Sequence, residues 1–85
     1  MKELVRKLKA VANERRLIIL KLLKENGYMN VGDLASELRL SVKATSKHLQ
    51  NLKDAGLVKC DPKHSVVNYH LGNDLTNYIK LILEI

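Results

Sequence analysis

Residues 30–56 read NVGDLASELRLSVKATSKHLQNLKDAG, and the fold turns on them. Asn30 precedes a short apolar stripe of Leu34, Ala35 and Leu38, with Asp33 three places on. That is the spacing of a capping box, in which the cap side chain takes a first-turn amide and the acid reaches back. After about two turns only Arg39 and Leu40 intervene before Ser41, a second good cap. Ser41 opens a helix with Thr45, Leu49 and Leu52 on its inner face, ending at Gly56, the residue type that most readily adopts a helix-terminating conformation. Two short helices joined by a tight turn are predicted, the grammar of a helix-turn-helix.

The second helix carries the sharpest local signal. Ser41 to Lys53 contains Lys43, Lys47, Lys53, Ser46, His48, Gln50 and Asn51 and no acidic residue, in a chain that elsewhere mixes both signs. With Thr45, Leu49 and Leu52 inward, the 100° period gathers Lys43, Ser46, Lys47 and Gln50 on the outward face. A DNA major groove admits one such helix; lysine bonds guanine acceptors or neutralises phosphate, and glutamine pairs with adenine. An ordinary solvated helix also carries lysines, but it needs neither a tight turn before it nor a hairpin after it.

Outward from this segment the chain stays short and regular. Leu4, Val5, Leu8, Val11 and Ala12 recur at spacings of three and four and predict a first amphipathic helix. Asn13 caps a second, with Glu14 in its first turn and Leu17, Ile19, Leu20 and Leu23 along it, stopped by Gly27. On the other side, Leu57 to Cys60 and Val66 to Leu71 are β-prone and flank Asp61-Pro62-Lys63-His64-Ser65, which reads as a hairpin whose loop projects as a wing. Val67, Tyr69 and Leu71 are expected to face the helices, and Val66, Asn68 and His70 the solvent. A last helix is expected from Asn73 or Asp74, with Leu75, Tyr78, Ile79 and Ile82 on one stripe; Leu81, Leu83 and Ile85 widen it beyond what docking one face requires. The expected fold is mainly α with a small β-hairpin, a winged helix-turn-helix in the order α-α-α-α-β-β-α, forming one domain over residues 1–85.

Composition narrows the function. Fifteen Lys and Arg against nine Asp and Glu give a formal charge of +6 and a pI near 9.6, which favours a polyanionic partner. The excess is concentrated at the start, where residues 1–26 carry eight basic groups against three acidic ones. One cysteine, Cys60, excludes an intramolecular disulfide framework and suits a reducing cytosol. The opening residues mix charged and apolar side chains unlike a signal peptide, and no apolar run approaches the roughly 18–20 residues of a membrane span; a soluble, cytoplasmic protein with no membrane partner is expected. No glycine-rich phosphate loop, paired carboxylates or activated nucleophile supports an enzyme. Cys60, Asp61, His64 and His70 lie close together, and Cys with His is a competent zinc pair. Cys60, however, ends a strand where a small inward residue fits, and no metal or cofactor is assigned.

The stretch from Leu8 to Leu17 (LKAVANERRL), Val31-Gly32-Asp33-Leu34-Ala35, Leu40-Ser41, Ser46-Lys47-His48-Leu49 and Ala55-Gly56-Leu57-Val58 together resemble the ArsR/SmtB family of transcriptional repressors over roughly residues 4–71. The resemblance implies a homodimer that binds double-stranded DNA and represses transcription, with a dimer interface made by helices over 1–12 and 73–85, the helix-turn-helix over 30–56 and the wing over 57–71. Leu4, Val5 and Leu8 of the first helix and Leu75, Tyr78, Ile79, Ile82 and Leu83 of the last would form the interface. Val42, Lys43, Ser46 and Gln50 are the base-contact candidates; Lys47, His48, Lys53, Lys63, His64, Arg15 and Arg16 are the phosphate candidates. A winged helix used for protein–protein contact is the alternative, and the basic face disfavours it.

The sequence also departs from the family pattern. The Cys-Val-Cys box of metal-sensing members is replaced by Asn30, Val31 and Gly32. Of the second familiar metal site Asp74 is present, but Thr76 stands in place of the histidine and the distal pair is missing. Val42, Lys43 and Ala44 replace the usual recognition-helix residues, so the family's operator preference does not transfer. The effector stays open: constitutive binding, a small molecule at the dimer interface, or oxidation of Cys60.

Overall fold

The computed structural model describes residues 1–62 and 66–72. The wing-tip candidates Lys63 and His64, the expected last helix and its Leu75, Tyr78, Ile79, Ile82 and Leu83 lie outside them. The elements run α1 (Lys2–Val11), α2 (Glu14–Asn26), β1 (Tyr28–Asn30), α3 (Val31–Leu38), α4 (Val42–Asp54), β2 (Val58–Asp61) and β3 (Asn68–Leu71).

Local chemistry sets the helix starts. The Asn13 side chain accepts from the Arg16 amide at 3.1 Å, Asn30 Oδ1 from the Asp33 amide at 2.8 Å, and Ser41 Oγ from the Ala44 amide at 3.0 Å. Each satisfies a first-turn donor that has no partner within its helix. The box at Asn30 is modified. Asp33 Oδ2 accepts from the Asn30 side-chain amide at 3.3 Å, not from its backbone, and the Asn30 backbone belongs to strand β1. Gly27, with φ 84 and ψ −53, ends α2 at positive φ but outside the left-handed helical well. Arg39 takes that well itself at φ 55 and ψ 42, turning the chain between α3 and α4.

The core is aliphatic. Ile19, Leu20 and Leu23 of α2, Leu34 of α3, Leu49 and Leu52 of α4, and Leu57 and Val58 after it are fully buried, as is Thr45. Thr45 Oγ1 donates to the Ser41 carbonyl at 2.9 Å, so this buried hydroxyl is not left unsatisfied.

The β-structure is larger than the expected hairpin. Three strands pair antiparallel in the order β1-β3-β2, with Tyr28 opposite His70 and His70 opposite Lys59. Alternation along the pleat separates two faces. Met29, Tyr69, Leu71 and Val58 pack on the core; Cys60, opposite Tyr69, shares that side. Tyr28, Lys59 and His70 share the other.

Candidate nucleic-acid interface

The tight turn and two caps hold α4 so that one face is inward and the other clear of the body. Thr45, Leu49 and Leu52 are buried, while Val42, Lys43, Ser46, Lys47 and Gln50 are exposed, Val42 to 52%. An apolar side chain so open at the first turn of a helix contributes nothing to the core. No acidic residue occupies the first turn of α4 and Lys53 lies in its last. The amino-terminal end, with its partial positive charge, therefore carries Lys43 and no carboxylate in its own first turn, an arrangement that attracts anions.

Two candidates on the helix have partners within the fold. Gln50 Nε2 donates to Asp54 Oδ1 at 2.8 Å, so the amide is oriented along the helix axis by a residue one turn further on. His48 is half-buried at the edge of the helix, and its Nδ1 accepts from Arg16 Nε at 3.4 Å. Burial and then the neighbouring charges of Arg16 and Arg15 hold its pKa below the ordinary histidine value of 6.5.

The adjacent arginines of α2 tie helices together. Arg15 Nη1 donates to the Leu38 carbonyl at 2.6 Å, capping the carboxy-terminal end of α3 beside the turn. Arg16 reaches the Ala10 carbonyl of α1 at 3.4 Å as well as His48 of α4. The sequence marks both as phosphate candidates; in the fold each also bonds a neighbouring helix. Arg15 remains exposed, and a guanidinium has five donors, of which this bond uses one. The paired arginines after a capping asparagine were the visible signal, but their partners lie 23 and 32 residues away.

Leu4 is half-buried, and Val5 and Leu8 are 41% and 42% exposed, on one side of α1. Among the described residues no group of three or more His, Cys, Asp and Glu is placed to hold a metal ion, and no helix is long and apolar enough to cross a membrane.

Comparison with known proteins bears directly on this arrangement. Residues 13–59 match the family described as bacterial regulatory protein, arsR family. The transcriptional activator HlyU of Vibrio cholerae is 42% identical over 78 residues, which cover 92% of this chain and 68% of that protein. An HTH-type transcriptional regulator of Methanocaldococcus jannaschii is 40% identical over 78 residues, 91% of this chain and 88% of its own. Among solved structures, HlyU from Vibrio cholerae superposes with a TM-score of 0.81 at 41% identity, covering 98% of this chain and 86% of that one. A homodimeric winged helix-turn-helix DNA-binding domain from Mycobacterium bovis, described as a possible ArsR-family regulator, gives 0.85 at 33% identity, over 95% of this chain and 75% of its own.

Proposed function

The chain belongs to the ArsR family of bacterial regulatory proteins, and from that premise we propose that it regulates transcription as a two-fold dimer laying one α4 helix into each of two successive major grooves. The family is one of transcriptional regulators, not enzymes. The observation that carries the reading is the α4 face itself: exposed, acid-free in its first turn, and cationic through Lys43 and Lys47.

In this reading Val42, Lys43, Ser46 and Gln50 meet base edges, and Lys47 and Lys53 meet phosphates, joined by Lys63 and His64 of the wing. Arg15 contributes through the donors its bond to Leu38 leaves over. His48 and Arg16 act chiefly by fixing α4 against α1 and α2. The apolar stripe of Leu4, Val5 and Leu8, exposed on a single chain, supports pairing of two copies through α1 and the segment after residue 72, as does the homodimeric state of the Mycobacterium bovis domain. Grooves on one side of a duplex recur about every 34 Å, so such a dimer reads an inverted repeat.

Occupancy of a promoter by this dimer excludes polymerase, which makes repression the expected outcome. HlyU is named an activator; the same dimer bound outside the polymerase footprint would not exclude polymerase, so the position of the site decides the direction of control. The protein works in the cytoplasm, where its DNA is. The test is selection of bound sequences from a random duplex library by the full chain. An enriched palindrome with half-sites about one helical turn apart supports the reading; failure to enrich any sequence overturns it.

A further inference from the structure

A groove of about 660 Å³ runs between α1 and the carboxy-terminal half of α4, with Lys2, Arg6, Lys9 and Arg16 on one side and Asn51 and Asp54 on the other. Four cations face one carboxylate, and that carboxylate is already bonded by the Gln50 amide. Lys2, Arg6 and Lys9 follow one another at i, i+4 and i+7, so they form a single stripe along α1. At 1.5 Å rise per residue the stripe is about 10 Å long. The 100° period sets it about 100° or more from Leu4 and Leu8, while Val5 of the same apolar stripe borders the groove, so the row of charge adjoins the edge of the surface assigned to pairing. All three side chains are exposed.

We propose that this groove is a second phosphate-binding surface for the same duplex, carrying the backbone beyond the segment read by α4. The inference rests on the DNA-binding reading above and extends it to residues outside the helix-turn-helix. Continuity is the argument for DNA over an acidic protein segment. Asn51 and Asp54 border the groove and belong to α4, and the Gln50 to Asp54 bond joins the groove wall to the outward face of that helix. A strand leaving α4 at this end meets a ready-made row of charge, and a polyanion with closely spaced charges suits a row better than a single small anion does.

The experiment measures binding of the full chain to its selected site, with extended flanks, as salt is raised. Each phosphate contact contributes about 0.9 to the log–log salt slope, so replacing Lys2, Arg6 and Lys9 together by Ala, which removes three contacts from each protomer of the dimer, shrinks the affinity lost between about 50 and 200 mM salt by roughly 10³-fold, about 40-fold per protomer, if all three bind phosphate. An unchanged slope overturns the proposal, as does preferential capture of an acidic peptide over the flanked duplex. Lys47→Ala serves as reference: a reduced slope there with an unmoved triple variant sinks the groove alone, and no slope change in either sinks the DNA-binding reading with it. Phosphate ethylation interference on the unaltered protein covers the case in which the triple variant does not fold. Interference at phosphates outside the α4 half-site supports the groove, and its absence there overturns it.

Discussion

Arg16 Nε donates to His48 Nδ1 across 3.4 Å, which couples the first turn of α2 to the helix that carries the exposed cationic face. A histidine that accepts at Nδ1 is neutral at that nitrogen, and protonation abolishes the bond while adding a third positive charge beside Arg15 and Arg16. Burial, then Arg16, then Arg15 lower its pKa from 6.5. In the window below that value the unfolded chain binds the proton and the folded chain resists it. The contribution is thus fully present above about pH 6.5 and is lost as pH falls toward the folded value. Urea melts of the wild type should show stability falling from pH 7.5 to 5.5 more steeply than in His48→Gln; equal dependence in the two proteins contradicts the coupling.

Ser41 separates folding from binding. Its hydroxyl accepts the Ala44 amide at 3.0 Å, so Ser41→Ala should cost about 1 kcal/mol. Ser41→Asp keeps a capping acceptor and adds a charge that the helix terminus favours, so stability should be retained or raised. The same carboxylate would stand beside the phosphates in the proposed complex. Melts paired with DNA titrations should find the Asp variant stable and weak in binding, and the Ala variant about 1 kcal/mol less stable but undiminished in the binding of its folded form. Undiminished binding by Ser41→Asp would place this end of α4 away from the duplex.

The elements that could be read from residues alone are those whose determinants are local. Asn13, Asn30 and Ser41 each bond an amide three residues on, so their caps are written in consecutive residues. The inward face of α4 follows from spacing alone. Strand β1 is different: three residues do not establish an alternation, and its partner β3 lies about forty residues away in the chain. The one available signal was Tyr28-Met29 after the stop at Gly27, with Met29 packed on the core and Tyr28 65% exposed. Arg15 and Arg16 show the same limit in the site. Their charge was legible and suggested phosphate, whereas the Leu38 carbonyl and His48 come near them only once the chain has folded. The Gln50 to Asp54 pair, by contrast, sits at i, i+4 and was open to reading.

Gly72 closes the sheet against the end of α4. Its amide donates to the Leu57 carbonyl at 2.9 Å, and a Cβ at this position would lie 2.5 Å from the Gly56 carbonyl oxygen. The obstacle is backbone, and Gly56 is itself held at φ 77, so neither side yields without moving the α4 to β2 junction. Gly72→Ala is expected to cost about 1–3 kcal/mol, the range of overpacking in a tight interior. A denaturation midpoint equal to that of the wild type would contradict the close approach.

Leu8 tests the proposed assembly independently of DNA. It is 42% exposed on α1, alongside Val5 at 41% and half-buried Leu4, so on a single chain this stripe leaves apolar area in water. Covering it by a second copy removes that area at roughly 25 cal/mol per Å²; a carboxylate there would be desolvated without a partner. Leu8→Glu should therefore leave the far-ultraviolet circular dichroism of the folded chain intact and shift sedimentation equilibrium to the monomer. Because two half-sites are then engaged separately, affinity for an inverted repeat should fall by 10²-fold or more, while affinity for a lone half-site changes little. A Leu8→Glu protein that stays dimeric would move the interface off α1, and the orientation of the two α4 helices would have to come from elsewhere in the chain.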